Sequence, residues 1–245
     1  MRLLRRRDDG IYTLTEFVGD TIPRYAILSH TWGADHEEVT LADLEKTTGV
    51  TKVGYRKLQF CADQAAKDHI CYFWVDTCCI DKSSSAELTE AINSMFAWYR
   101  NAARCYVYLS DVLTSSRASN TPLDSQQPWN HAFKQSRWFT RGWTLQELVA
   151  PPKVEFFSAQ GEWIGDKNSL VQELHNITGI SVEALQGTTS LSHLSVNERM
   201  SWVKKRKTTR GEDAAYSLLG IFDVHMPLIY GEGRRHAFVR LRKEI

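Results

Sequence analysis

The sequence predicts an α/β fold: an open, mostly parallel sheet flanked by helices, followed by a helical lobe. Three observations point there. Over the first ~160 residues, short apolar runs alternate with helical patterns, the signature of βαβ units. The run Ile70-Cys71-Tyr72-Phe73-Trp74-Val75 is apolar throughout, as a strand covered on both faces should be. After Gly161 the alternation stops and only helical patterns remain. The expected division is therefore 1–164 for the α/β core and 165–245 for a helical extension packed on it.

In chain order, residues 1–24 read as a lead-in whose Ile11, Leu14 and Phe17 are candidates to dock on the core. Tyr25-Ala26-Ile27-Leu28-Ser29-His30 is a buried strand running into the polar loop Thr31-Trp32-Gly33. A short helix is expected around Leu41 and Leu44. Tyr55 to Asp68 is helical, with Leu58, Cys61, Ala62 and Ala65 on one stripe. The strand 70–75 ends at Asp76. Ser84 and Glu87 then fit a capping box, in which each side chain satisfies an orphan backbone donor of the other. Leu88, Ile92, Met95, Phe96 and Tyr99 form the buried stripe of the helix that follows. Cys105 to Leu109 is the third strand, ending at Ser110-Asp111.

Residues 112–136 are rich in Ser, Thr, Asn, Gln and Pro and read as a surface loop with a short helix near Trp129. Residues 137–152 read as one short helix. Leu145, Leu148 and Val149 supply its apolar face, and Pro151-Pro152 stops it by lacking the N–H and blocking continuation. Gln146 and Glu147 fall off that stripe. Val154-Glu155-Phe156-Phe157 is a fourth strand. In the lobe, Leu170 to Ile177 and Ser181 to Leu185 are helical. Ser195 and Glu198 form a second capping box. Glu212 to Leu219 is helical and stops at Gly220, and Arg235 to Ile245 is a last helix. No internal repeat is visible.

Composition narrows the function. The 245 residues are 42% hydrophobic, enough for a sizeable core, and carry a net charge of +1, which argues for neither nucleic acid nor an anionic membrane. Arg5-Arg6-Arg7 is offset at once by Asp8-Asp9, and Lys204-Lys205-Arg206-Lys207 reads as a solvated helix end. No stretch is apolar enough to span a bilayer, and charges stand where a signal peptide needs its apolar region. Cytosolic or nuclear residence is the default, with a cytoplasmic location expected. The five cysteines are odd in number and form no C-x-x-C pair, so reduced thiols are expected and no metal site.

Ligands of open parallel sheets collect at the carboxyl ends of strands. That points to Ser29-His30-Thr31-Trp32, to Asp76-Thr77-Cys78-Cys79, and to Ser110-Asp111, with Trp143 and Glu147 able to face the same edge. Neither a G-x-G-x-x-G nor a P-loop is present.

Four blocks carry a family resemblance: Tyr25-Ala26-Ile27-Leu28-Ser29-His30-Thr31-Trp32-Gly33; Trp74-Val75-Asp76-Thr77-Cys78-Cys79-Ile80-Asp81-Lys82 running on through Ala91-Ile92-Asn93-Ser94-Met95-Phe96; Arg141-Gly142-Trp143-Thr144-Leu145-Gln146-Glu147-Leu148; and Thr209-Arg210-Gly211-Glu212-Asp213-Ala214-Ala215-Tyr216-Ser217-Leu218-Leu219-Gly220. Together they resemble the fungal heterokaryon incompatibility (HET) domain over nearly the whole chain. The resemblance implies a module that triggers cell death when incompatible genotypes fuse. Such modules often stand N-terminal to a nucleotide-binding oligomerisation domain and repeats; the end at Ile245 is read as that of an isolated module.

A more distant resemblance is to TIR domains, and it implies a TIR-like, flavodoxin-like core. Many TIR domains hydrolyse NAD with the glutamate of a W-C-x-x-E-L helix. Trp143-Thr144-Leu145-Gln146-Glu147-Leu148 is similar, with Thr144 in place of the cysteine, and Glu147 falls on the catalytic position. The lobe after residue 165 has no TIR counterpart. The resemblance implies NAD as substrate rather than cofactor, and self-association as the activating step. Nicotinamide leaves NAD neutral and needs no protonation, so one carboxylate suffices: Glu147 would stabilise the positive charge that grows on the ribose. Trp32 or Trp143 would stack on a base, and Ser29, His30, Thr31 and Asp76 would surround ribose or phosphate.

Two readings compete with this one. A TIR-like fold also serves as an assembly adaptor without chemistry. Alternatively, Cys78 or Cys79 is a thiol nucleophile with His30 as its base.

Overall fold

The computed structural model describes residues 1–114 and 128–245. Seven strands form one sheet: β1 (Arg2–Arg6), β2 (Tyr12–Glu16), β3 (Tyr25–His30), β4 (Tyr72–Trp74), β5 (Arg104–Tyr108), β6 (Val154–Phe157) and β7 (Trp163–Asp166). Their spatial order is β2-β1-β4-β3-β5-β6-β7. The central pairs β4/β3, β3/β5 and β5/β6 are parallel, while β1, β2 and β7 pair antiparallel at the edges. Counted in order of appearance, the parallel strands run 2-1-3-4. The four expected strands are all present. The expected lead-in is corrected: residues 2–16 form a hairpin that extends the sheet through Leu4 opposite Phe73. The alternation of β2 is short and half-exposed, so it reads weakly as a strand. β7, which also went unread, contains the 164/165 boundary and hydrogen-bonds to β6.

The helices are α1 (Leu41–Glu45), α2 (Tyr55–Lys67), α3 (Asp76–Cys79), α4 (Ser85–Asn101), α5 (Pro128–Gln135), α6 (Thr144–Val149), α7 (Val171–Thr178), α8 (Val182–Gln186), α9 (Val196–Ser201), α10 (Asp213–Tyr216), α11 (Leu219–Phe222) and α12 (Gly233–Glu244). The expected helix near Trp129 is α5; the rest of that loop, 115–127, lies outside the described residues.

Strand alternation sorts the sheet's two faces. Tyr106, Tyr108 and Phe157 turn toward α2, where Phe60 packs tilted against Tyr108 and edge-on against Phe157, and Tyr106 donates to Asp68 at 2.5 Å. Cys105 and Phe156 turn the other way. There the Cys105 thiol meets the Glu147 carbonyl at 3.8 Å, and Phe156 packs edge-on against Trp138 at 5.7 Å. α6 thus lies over β3 and β5 on one face, against α4, with α2 on the other.

Both capping boxes are half-formed. Ser84 and Ser195 accept from the N–H groups of Glu87 and Glu198. Neither glutamate reciprocates: Glu87 accepts from Arg2 and from the Asp81 N–H, and Glu198 accepts a long bond from Ser181 at 3.4 Å. The expected 212–219 helix is corrected to two short ones, α10 and α11, and Gly220 sits inside the second instead of ending the first. Trp74, Trp138 and Trp202 are buried in the core, whereas Trp163 is 57% exposed on the edge strand. Among the described residues, no helix is long and apolar enough to cross a membrane.

Candidate functional site

The stretch 137–152 is not one helix. Residues Arg137–Thr140 make a tight 3-10 turn, Arg141-Gly142-Trp143 break it, and α6 begins at Thr144. Asp111 anchors the turn, accepting from the Ser136 hydroxyl at 2.8 Å and the Arg137 N–H at 2.9 Å. Ser110-Asp111 therefore braces the approach to α6 and does not line the cavity described next. The break matters because it buries every residue of α6, Gln146 and Glu147 included. A surface glutamate on an amphipathic helix is excluded.

A cavity of about 330 Å³ opens where the chain ends of β3 and β4 meet α4, α6 and residues 207–210 of the lobe. Of the residues expected at the site, His30, Trp32, Asp76, Trp143 and Glu147 line it. Ser29 and Thr31 do not. Ser29 is fully buried behind the wall, where it accepts from the Trp138 indole at 2.8 Å and donates to Glu147. Thr31 is turned away, and its carbonyl accepts from Lys57 at 3.0 Å.

Two carboxylates dominate the electrostatics, with opposite shifts. Burial pushes Glu147 up to about 8; the Asp76 charge adds to this, while the Ser29 hydroxyl and the Arg206 guanidinium oppose it. Burial would raise Asp76 too, but the Lys82 charge and hydrogen bonds from His30 and Trp32 overcome it. They hold Asp76 well below the usual carboxylate range. The His30 Nε2 lies 3.0 Å from one Asp76 oxygen and the Trp32 Nε1 2.9 Å from the other, with Lys82 over the Trp32 ring at 3.7 Å. The constellation is a fixed anion beside a buried carboxyl whose proton is poised near neutrality. Such a pair can hold one proton and release it when positive charge arrives.

The thiol-nucleophile reading fails on the same geometry. Burial pushes the Cys78 thiol up to about 12 and Cys79 well above its ordinary value. Cys78 donates to the Val39 carbonyl, and the His30 Nε2 is engaged by Asp76. Among the described residues, no group of three or more His, Cys, Asp or Glu side chains is placed to hold a metal ion.

Sequence reasoning missed Arg206. Its run of four basic residues read as solvated, yet Arg206 is 5% exposed and donates to the Arg141 carbonyl and the Thr144 hydroxyl, both at 2.8 Å. Backbone bonds complete the join: Lys207 N–H to the Thr140 carbonyl at 2.6 Å, and Gly142 N–H to the Lys207 carbonyl at 2.9 Å. The lobe thus forms one wall of the cavity, through Lys207, Thr208, Thr209 and Arg210. The usable signal was the Thr209–Gly220 block itself, which matched a family motif without being connected to the cleft.

A family model described as "Heterokaryon incompatibility protein (HET)" matches residues 25–121. The vegetative incompatibility protein HET-E-1 of Podospora anserina is 58% identical over the whole of this chain. The chain spans 18% of that relative's length. No solved structure matches. The blocks at the ends of β3 and β4 lie inside the family match, those at α6 and α10 inside the longer alignment, and the chain belongs to the heterokaryon incompatibility domain family.

Proposed function

We propose that the chain is the cell-death module of a fungal vegetative incompatibility protein, and that its cavity hydrolyses NAD at the nicotinamide–ribose bond. One observation carries the chemical part: Glu147 lines a cavity at the strand ends, with two tryptophans beside it in the lining. The parallel strand order 2-1-3-4 supports a TIR-like core, since flavodoxin-like sheets use this order and bind ligands beside it. The volume sits at the low end for small-molecule sites, about 300–1,000 Å³, and suits one half of a dinucleotide.

The protonation of Glu147 fits a cationic substrate. In the free protein the carboxyl keeps its proton near neutral pH, because burial disfavours the charge. A pyridinium ring beside it favours the carboxylate and expels the proton. The C–N bond then breaks, its electron pair leaves with neutral nicotinamide, and the carboxylate faces the cationic ribose. Water adds at that carbon and gives up a proton, yielding ADP-ribose. Glu147→Gln keeps the shape and the Ser29 partner but removes the charge. NAD loss, followed by chromatography in a dense or tethered preparation, should fall on the order of 10²-fold or more. Undiminished turnover in the folded variant overturns the mechanism.

A second reading has its own support. Ser29, itself held by the Trp138 indole, already engages the Glu147 carboxyl from behind, an arrangement sufficient for a purely structural acid in an assembly adaptor. Tryptophan fluorescence separates the two: an adaptor shows no response to millimolar NAD or ADP-ribose. In both readings the module works by self-association, and the greater length of HET-E-1 leaves room for further domains that would drive it.

A further inference from the structure

The cavity has two unlike kinds of lining. Ile80, Ile92 and Met95 make an apolar wall from the α3–α4 side. Three cations also line the cavity, Arg141 before α6 and Lys207 and Arg210 from the lobe. Among the described residues, none of the three forms an ion pair or donates a side-chain hydrogen bond to a carboxylate. Arg210 lies over the Tyr230 ring at 4.1 Å, and its charge acts on Glu212 and Asp213 without an ion pair to either. The nearby carboxylates have other partners: Asp76 is held by His30 and Trp32, and Asp213 accepts from the Tyr230 hydroxyl at 3.0 Å. Glu147, bonded by Ser29, and Asp35 are the other lining acids. The backbone bonds between 140–142 and 207 hold Arg141 and Lys207 in register although 66 positions separate them.

Cations without an ion pair, two of them held in register, lining one cavity with apolar side chains, make an amphiphilic receptacle. We infer that Arg141, Lys207 and Arg210 form a phosphate-binding rim, and that a nucleotide lies with its reacting base toward Ile92 and Met95 and its pyrophosphate against the lobe. The inference rests on the proposed NAD chemistry for the identity of the base, but not for the rim itself. It gives the helical lobe a role in the site: the sheet supplies the acid, and the lobe supplies the anion clamp.

The test is calorimetric binding of ADP-ribose and of inorganic pyrophosphate to the intact chain and to a Lys207→Ala/Arg210→Ala double variant. Both positions are exposed, so folding should be unaffected, and circular dichroism checks this. Binding of both probes should weaken with added salt, and in the variant it should weaken by roughly tenfold or more, the usual consequence of losing charged hydrogen bonds. Nicotinamide riboside, which has the scissile bond but no phosphate, should show no such loss. Equal pyrophosphate affinity in the two proteins, or none in either at millimolar concentration, overturns the rim. Rim binding with no NAD loss by any preparation leaves the clamp standing and removes the NAD chemistry instead. Charge reversal at Lys207 alone that leaves ADP-ribose affinity unchanged also counts against it.

Discussion

At the scale of the residue, Glu147 and Asp76 are the same functional group in two environments. Asp76 collects a lysine, an indole N–H and an imidazole, and stays ionised. Glu147 has the Ser29 and Tyr99 hydroxyls and the Arg206 charge against full burial, and holds its proton to about 8. The pair interact, since the Asp76 charge is one of the reasons Glu147 is high. The pH dependence follows from this. If the carboxylate is the working form, kcat/KM for NAD should climb with pH until about 8, because that ratio reports the free enzyme. The limb seen in kcat should lie lower, because bound pyridinium favours ionisation. Asp76→Asn removes a negative neighbour and should move the kcat/KM limb to lower pH. A limb that stays in place or rises shows that Asp76 does not act on Glu147 electrostatically.

At the scale of the element, close backbone approach decides where helices stop and start. Gly142 interrupts the run into α6, and a Cβ there would lie 2.4 Å from the Thr208 methyl. A helix continuing through 141–143 would leave no room for the lobe's segment at 207–208 to bond to the 140–142 backbone. Gly220 is tighter still, with a built Cβ only 2.0 Å from the Phe96 Cβ, so α11 can rest on α4 only through a glycine. Gly220→Ala should therefore destabilise the chain by about 1–3 kcal/mol or more despite alanine's better helix propensity. Urea unfolding measures it. A neutral or stabilising result means the α4–α11 contact yields freely. The half-formed capping boxes belong to this scale too. A local motif predicts two reciprocal bonds, but a tertiary partner such as Arg2 competes for the glutamate and wins through a charge-assisted pair.

At the scale of the whole molecule, the sheet and the lobe share one cavity and one set of buried bonds. Arg206 donates its guanidinium across the join, where removing either side would leave buried polar groups unpaired. Trp202 and Leu218 are buried in a core continuous with that of the sheet. Thermal or urea unfolding should accordingly be a single transition, with far-ultraviolet circular dichroism and tryptophan emission tracing the same midpoint. Separate midpoints for the two probes would mean that the lobe melts on its own and that the anion clamp can detach from the acid.

Sequence alone determined the parallel strands, the amphipathic helices between them and the family, because apolar runs and spaced motifs are local signals that need no partner to be recognised. It also picked out Glu147, Trp32, Asp76 and Trp143 as neighbours, since strand ends in such sheets converge by topology. Only the tertiary structure decided that Ser29 stands behind the wall, that Arg206 is buried within a basic run, and that the lobe lines the site. Those facts depend on which chains approach each other across 60 or more positions, and no local pattern encodes that. The protonation of Glu147 belongs with them, because a pKa is set by the solvent that packing removes and the charges that packing brings near.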